Sequence, residues 1–292
     1  KTLMKNKKIQ LVMDSSATHM VGDGFRVQTF FPSEKIGMKR MSPFLLLDYN
    51  AKVEFAPRDE PRGVGVHPHR GFETVTIAYS GSVAHHDSAG NAGVVNPGEI
   101  QWMTAGSGIL HKEYHEEKFS KAGGIFQMVQ LWVNLPKKDK SNAPGYQTIT
   151  ADDYGIYELP DGGGIVEVIA GELNGVKGPV KTHSPINMYN IKIKKGKELT
   201  FELSSNWNSA ALVVEGSATI NEADVPADSL LIFENEGEQV RIFAKEDSTI
   251  LVLSGEPIDE PIAAYGPFVM NTHDELEQAY LDYNAGKYGV LE

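Results

Sequence analysis

The chain has 292 residues, 27 basic against 39 acidic side chains and a formal net charge of −12. The length suits two ordinary domains or one large one, and 41% hydrophobic residues support a packed core rather than disorder. The acidic balance argues against direct nucleic-acid or membrane-surface binding. The absence of cysteine excludes disulfides, thiolate metal sites, iron–sulfur clusters and cysteine nucleophiles. No apolar run approaches a membrane span, and the basic residues 1–8 are not followed by the apolar segment of a signal peptide, so the expected location is cytoplasmic.

In chain order, residues 1–20 read as a loose polar arm with one strand at 9–13. The aromatic and β-branched stretch 25–30 predicts a strand, and the apolar run 42–48 a buried one. Residues 55–65 carry charges and two prolines, and read as a loop leading to Gly63-Val64-Gly65-Val66-His67-Pro68-His69-Arg70-Gly71-Phe72-Glu73. A strand at 74–79, a turn at 80–82, a strand end with hairpin loop at 85–91 and a turn at 96–99 follow. Then come a strand at 100–104 and a glycine-rich approach to Gly106-Ser107-Gly108-Ile109-Leu110-His111-Lys112-Glu113. The strand 127–135 ends at Pro136, and the polar, glycine- and proline-rich stretch after it reads as a linker. Beyond it, strands are expected at 186–194, 198–203, 210–214, 217–221, 229–233, 239–244 and 248–253. Thr272 with Glu275 forms a capping-box pattern that opens an amphipathic helix over 272–285, packed on a barrel.

Short strands separated by Gly/Pro turns predict an all-β sandwich or barrel. The two halves can be superposed, with Ser80-Gly81-Ser82 on Glu215-Gly216-Ser217 and Asn96-Pro97-Gly98-Glu99 near Val225-Pro226-Ala227-Asp228, which suggests a duplicated barrel. The expected division is an N-terminal barrel at 1–140, a linker at 141–164 and a C-terminal barrel at 165–292 ending in the helix. This superposition lays His67 and His69 on Glu202 and Ser204, and His111 on Val240. Only the first barrel would then bind metal.

His67 and His69 are two apart, as are His111 and Glu113. Residues two apart on a strand leave the same face, so two such pairs on neighbouring strands would aim three imidazoles and a carboxylate at one point. Such ligands suit Fe(II), Mn(II), Ni(II), Cu(II) or Zn(II), and four of them leave room for further coordination, which suits catalysis. Glu73 is the competing carboxylate. His85 and His86 are adjacent, so one points in and one out, neither expected to ligate. His115 reads as solvent-exposed, Trp102 and Met103 as barrel core, and the lysines between 192 and 197 as a solvated face.

The segments His67-Pro68-His69-Arg70-Gly71-Phe72-Glu73-Thr74-Val75-Thr76, Asn96 through Glu113 and Gly266-Pro267-Phe268-Val269-Met270-Asn271-Thr272 resemble the pirin family of the cupin superfamily. The resemblance implies two tandem cupin barrels of jelly-roll type with one iron in the first. It also implies the ligand set His67, His69, His111 and Glu113. Some members are associated with quercetin 2,3-dioxygenase activity and others with transcriptional co-regulation through a protein partner. The expectation is therefore an Fe(II)-dependent dioxygenase acting on a small aromatic substrate and O2, with Glu113 accepting the substrate proton. The alternatives are an iron-containing redox sensor that binds a protein partner, and a cupin whose metal is structural.

Overall fold

β-Branched and aromatic residues recur in short runs between turn residues, and strands form where they do. The computed structural model describes residues 3–292. Its strand pairs are antiparallel, with two α-helices, Glu117–Ala122 and His273–Asn284, among the described residues. The chain divides into two compact units that do not follow the sequence order. One contains 17–39, 44–151 and 258–292; the other contains residues through 16, 40–43 and 152–257.

The unit carrying His67 has a seven-stranded sheet in the order Gly145–Ile149, Ile100–Thr104, Phe72–Ser80, Gly124–Asn134, Phe44–Phe55, Phe25–Phe31 and His19–Val21. Its four-stranded sheet runs Gly63–His69, Ile109–His115, Val83–Asp87 and Ala92–Val95. The other unit repeats this plan. Its large sheet runs Ile9–Met13, Ser229–Phe233, Asn208–Glu215, Ser248–Gly255, Ile186–Ile193, Gly164–Ala170 and Gly155–Glu158, and its small sheet Glu198–Glu202, Gln239–Ala244, Ser217–Ile220 and Ala223–Pro226. The two strand orders match position for position, so the internal duplication is a property of the fold.

The expected boundaries at 140 and 165 need correcting. Ile9–Met13, read as part of an N-terminal arm, is the outer strand of the C-terminal barrel and pairs with Ser229–Phe233. The stretch 141–164 is not a linker: Gly145–Ile149 pairs with Ile100–Thr104 and Gly155–Glu158 with Gly164–Ala170. The C-terminal helix belongs with the first barrel. Arg70 Nη1 lies 2.7 Å from Asp282 Oδ2, Ser88 Oγ donates to the Tyr288 carbonyl at 2.6 Å, and buried Lys140 donates to the carbonyls of Gly71 (2.8 Å) and Val269 (3.0 Å). The helix starts as its capping box requires, with Thr272 Oγ1 accepting from the Glu275 N–H at 3.2 Å.

The interiors of the two barrels differ. The C-terminal barrel is filled by a single apolar cluster that includes Val168, Tyr189, Phe201, Leu203, Val240, Ile242 and Val252. Its register also corrects the sequence superposition by one residue. His67 pairs with His111 in the first barrel, and Phe201 pairs with Val240 in the second. The counterparts of His67 and His69 are therefore the buried Phe201 and Leu203 rather than the exposed Glu202 and Ser204. A one-residue slip moves every side chain of a strand to the other face, and only this register puts apolar groups inside.

Candidate metal centre

The His67 and His111 strands lie side by side, with His111 opposite His67 and Ile109 opposite His69. Gly71 N–H donates to the Gly106 carbonyl at 2.8 Å, tying the exit of one strand to the approach of the other. Gly106 (φ 50°) and Gly108 (φ 125°) make that approach possible. A Cβ at Gly106 would strike the Asn142 carbonyl, and one at Gly108 the Tyr288 ring. The three imidazoles converge, with ring centroids 4.3 to 4.9 Å apart and one nitrogen from each within 4.8 Å of the others.

The donor chemistry fits a bound cation. His67 Nδ1 lies 2.7 Å from the Gly65 carbonyl, which leaves Nε2 free to ligate. That carbonyl is available because the strand bulges between His67 and Val64, opposite His111 and Glu113. His69 is hydrogen-bonded to the Pro267 carbonyl, while its Nδ1, like His111 Nε2, is buried without a protein partner. Buried polar atoms are nearly always satisfied, and an imidazole anchored through one nitrogen with the other bare is the usual state of a metal ligand. Burial lowers the pKa of all three histidines, and neighbouring imidazoles add to the effect at His69 and His111. They are thus held neutral, the form that binds metal.

Glu113 stands on the His111 face, because the register of its strand with Val83–Asp87 is unbroken from His111 to Glu113. Its carboxylate is not one of the atoms that converge within 4.8 Å. Burial pushes its pKa up to about 7, against the lowering effect of a hydrogen bond with Thr76, and a nearby cation would draw it down again. Glu73 is three residues from Thr76 on the strand Phe72–Ser80 and so points off the opposite face, where Thr104 Oγ1 donates to its Oε2 at 2.6 Å.

The remaining histidines sort by strand alternation. His85 is buried and hydrogen-bonded to Gln101, and burial lowers its pKa to about 4. His86 faces away, 2.6 Å from Tyr114 Oη. His115, expected at the surface, is fully buried. It packs among Phe25, Phe55, Phe119 and Phe126, with Nε2 on the Gly24 carbonyl at 2.7 Å. The alternation that pairs His111 with Glu113 continues inward to His115. Trp102 and Met103 are core, as expected.

Residues 24–133 match the pirin family model, and residues 188–289 match the model of the pirin C-terminal cupin domain. The chain belongs to the pirin family. A pirin from Mus musculus is 35% identical over 98% of this chain and 96% of its own length. The Pseudomonas aeruginosa protein PA2418, provisionally named a quercetin 2,3-dioxygenase, is 45% identical over 97% of this chain and 98% of its own. A crystal structure of quercetin 2,3-dioxygenase from Acinetobacter baumannii superposes with a TM-score of 0.93 at 44% identity, covering 99% of this chain and 100% of that one.

Around the pirin-family histidines, the structure adds residues that the sequence did not single out. Trp132 lies 5.5 Å from the His69 ring, centroid to centroid. Five polar residues, Thr29, Asp48, Gln130, Thr76 and Gln101, are successive cross-strand partners on the large sheet. Through the Thr76–Glu113 hydrogen bond, this row faces the histidine cluster.

Proposed function

We propose that this protein is a metal-dependent dioxygenase of the quercetin 2,3-dioxygenase type, acting on a flavonol or similar aromatic enol, with Fe(II) held by His67, His69, His111 and Glu113. The observation that carries the reading is the convergence of three neutral imidazoles, two with buried nitrogens that no protein group satisfies. Relatives 44–45% identical bear the name quercetin 2,3-dioxygenase and align over nearly the whole chain. When bound, the metal would supply a Lewis acid that draws an enolate into the site and a redox centre for reaction with O2.

The chain's own groups do the rest. Trp132, beside His69, offers a flat apolar wall to an aromatic ring. Glu113, on the same face as His111, would accept the proton of an enolic hydroxyl as the enolate forms. The same reading places the protein in the cytoplasm, supported by a chain without cysteine.

The test is metal analysis of protein purified without chelator, followed by incubation with quercetin. Turnover is expected in air, with O2 consumed, and none under anaerobic conditions. The His69→Ala variant is expected to lose metal and turnover together, and full activity in that variant would refute the proposal.

A further inference from the structure

We infer that Asp48 and Gln130 form the far end of the substrate site, where they hydrogen-bond the hydroxyl groups of the ring most distant from the histidines in a planar polyphenol of two linked ring systems. The inference rests on the dioxygenase reading above and deepens it by naming what selects the substrate.

Exposure on the large sheet alternates with the pleat. Leu45, Leu47, Tyr49, Val129, Leu131 and Val133 are all buried on one face. On the other face, Leu46, Asp48, Gln130 and Trp132 are only half-buried, although it is turned toward the histidines. Thr76 and Gln101 in the same row are buried, so the opening is confined to the patch formed by Leu46, Asp48, Gln130 and Trp132.

Asp48 and Gln130 are direct cross-strand partners there, as are Leu46 and Trp132. Asp48 Oδ1 accepts from Thr29 Oγ1 at 2.5 Å, and Gln130 Oε1 accepts from Thr76 Oγ1 at 3.1 Å. Among the described residues no donor serves Asp48 Oδ2 and no acceptor serves Gln130 Nε2. An acceptor and a donor are thus left side by side, which matches two neighbouring hydroxyls: one donates a hydrogen bond to the carboxylate, and the oxygen of the other accepts one from the amide N–H.

Spacing sets the size of the ligand. Thr76 marks the metal end through Glu113. Gln130 is one strand from Thr76 and Asp48 two, which places them roughly 5 and 10 Å away. A single ring is too short to reach from the histidines to Asp48, whereas a flavonol with a hydroxylated side ring is long enough. Leu46 and Trp132, two residues along from Asp48 and Gln130, provide apolar surface for the body of the molecule.

The second barrel serves as an internal control. The matching cross-strand row there is Val168, Tyr189, Val252, Ala211 and Leu231, all within its apolar core. Packing this fold does not require the polar row, since the same architecture closes without one.

The experiment compares quercetin with galangin, the flavonol that lacks the side-ring hydroxyls, binding to iron(II)-loaded protein under anaerobic conditions. The unmodified protein is expected to bind quercetin about tenfold or more tightly than galangin, as befits a hydrogen bond to a charged group. Asp48→Ala and Gln130→Leu should each bring quercetin toward galangin's affinity, while galangin affinity and iron content stay within about twofold. Those two unchanged quantities also report that the variants are folded; Asp48→Asn, closer in shape, should lose less than Asp48→Ala. Equal binding of the two flavonols, or equal weakening of both by the variants, would overturn this inference alone. Failure of either flavonol to bind the unmodified protein would overturn the dioxygenase reading with it.

Discussion

The two barrels share a strand order and differ in what they enclose. In one, the inner positions His67, His111, Thr76, Gln130 and Asp48 carry hydrogen-bonding or ligating groups. In the other, the same positions are Phe201, Val240, Ala211, Val252 and Tyr189, closed into one apolar cluster. Buried polar groups are costly unless paired, so the first barrel gives up packing to keep bare nitrogens and a half-open wall. The second has no such demand and is the better-packed scaffold. This duplication separates what the fold needs from what the site needs.

The largest expected effect is in the packed barrel. Phe201→Ala should destabilise that unit by about 3–5 kcal/mol in chemical denaturation, while metal content is unchanged. The equivalent His67→Ala, measured without metal, should cost far less, because it removes a partly exposed side chain. Equal costs would break the comparison. Next, His69→Ala should weaken metal binding by more than about a hundredfold, since losing even an outer hydrogen-bond partner of a ligand costs 10–100-fold; competition against a chelator of known affinity reads this directly.

A smaller effect depends on pH. In metal-free protein the folded pKa of Glu113 is raised from 4.5 to about 7. Its contribution is therefore fully present below about 4.5 and is lost as pH rises through 7. Glu113→Gln cannot ionise, so it should match the unmodified protein at pH 4 and exceed it by about 1–2 kcal/mol at pH 8, after discounting for residual solvent. The lowered imidazole pKa values act in the opposite sense, with stability lost as pH falls below 6.5, but they are common to both proteins and cancel in the difference. The smallest effect is at the helix cap, where Thr272→Ala should cost about 1 kcal/mol and leave the packed barrel's own unfolding unchanged.

Much of this was legible in the sequence where the signal is local. The strands Ile9–Met13, Ile100–Thr104, Ser229–Phe233 and Gln239–Ala244 lie where alternation and turns put them, and the His67/His69 spacing pointed to one face. Pairing was not legible, because nothing near residue 9 says that its partner is residue 233. That is why the expected domain boundaries failed. Asp48, Thr76 and Gln130 escaped notice for another reason: a polar residue at alternate positions of a strand looks like a solvent-facing side. Only the register shows that these alternate positions face inward, toward the histidines.

The long reach of the strand Ile9–Met13 has a consequence for synthesis. Met13 must wait for Leu230, more than two hundred residues later, which at 5–20 residues per second is on the order of ten seconds or more on the ribosome. Throughout that time the earliest strand has no partner. Cutting the gene after residue 150 would not release two self-sufficient proteins: the first fragment would carry off Ile9–Met13, which the second barrel's sheet needs, and the second would carry off the helix His273–Asn284, which belongs with the first barrel.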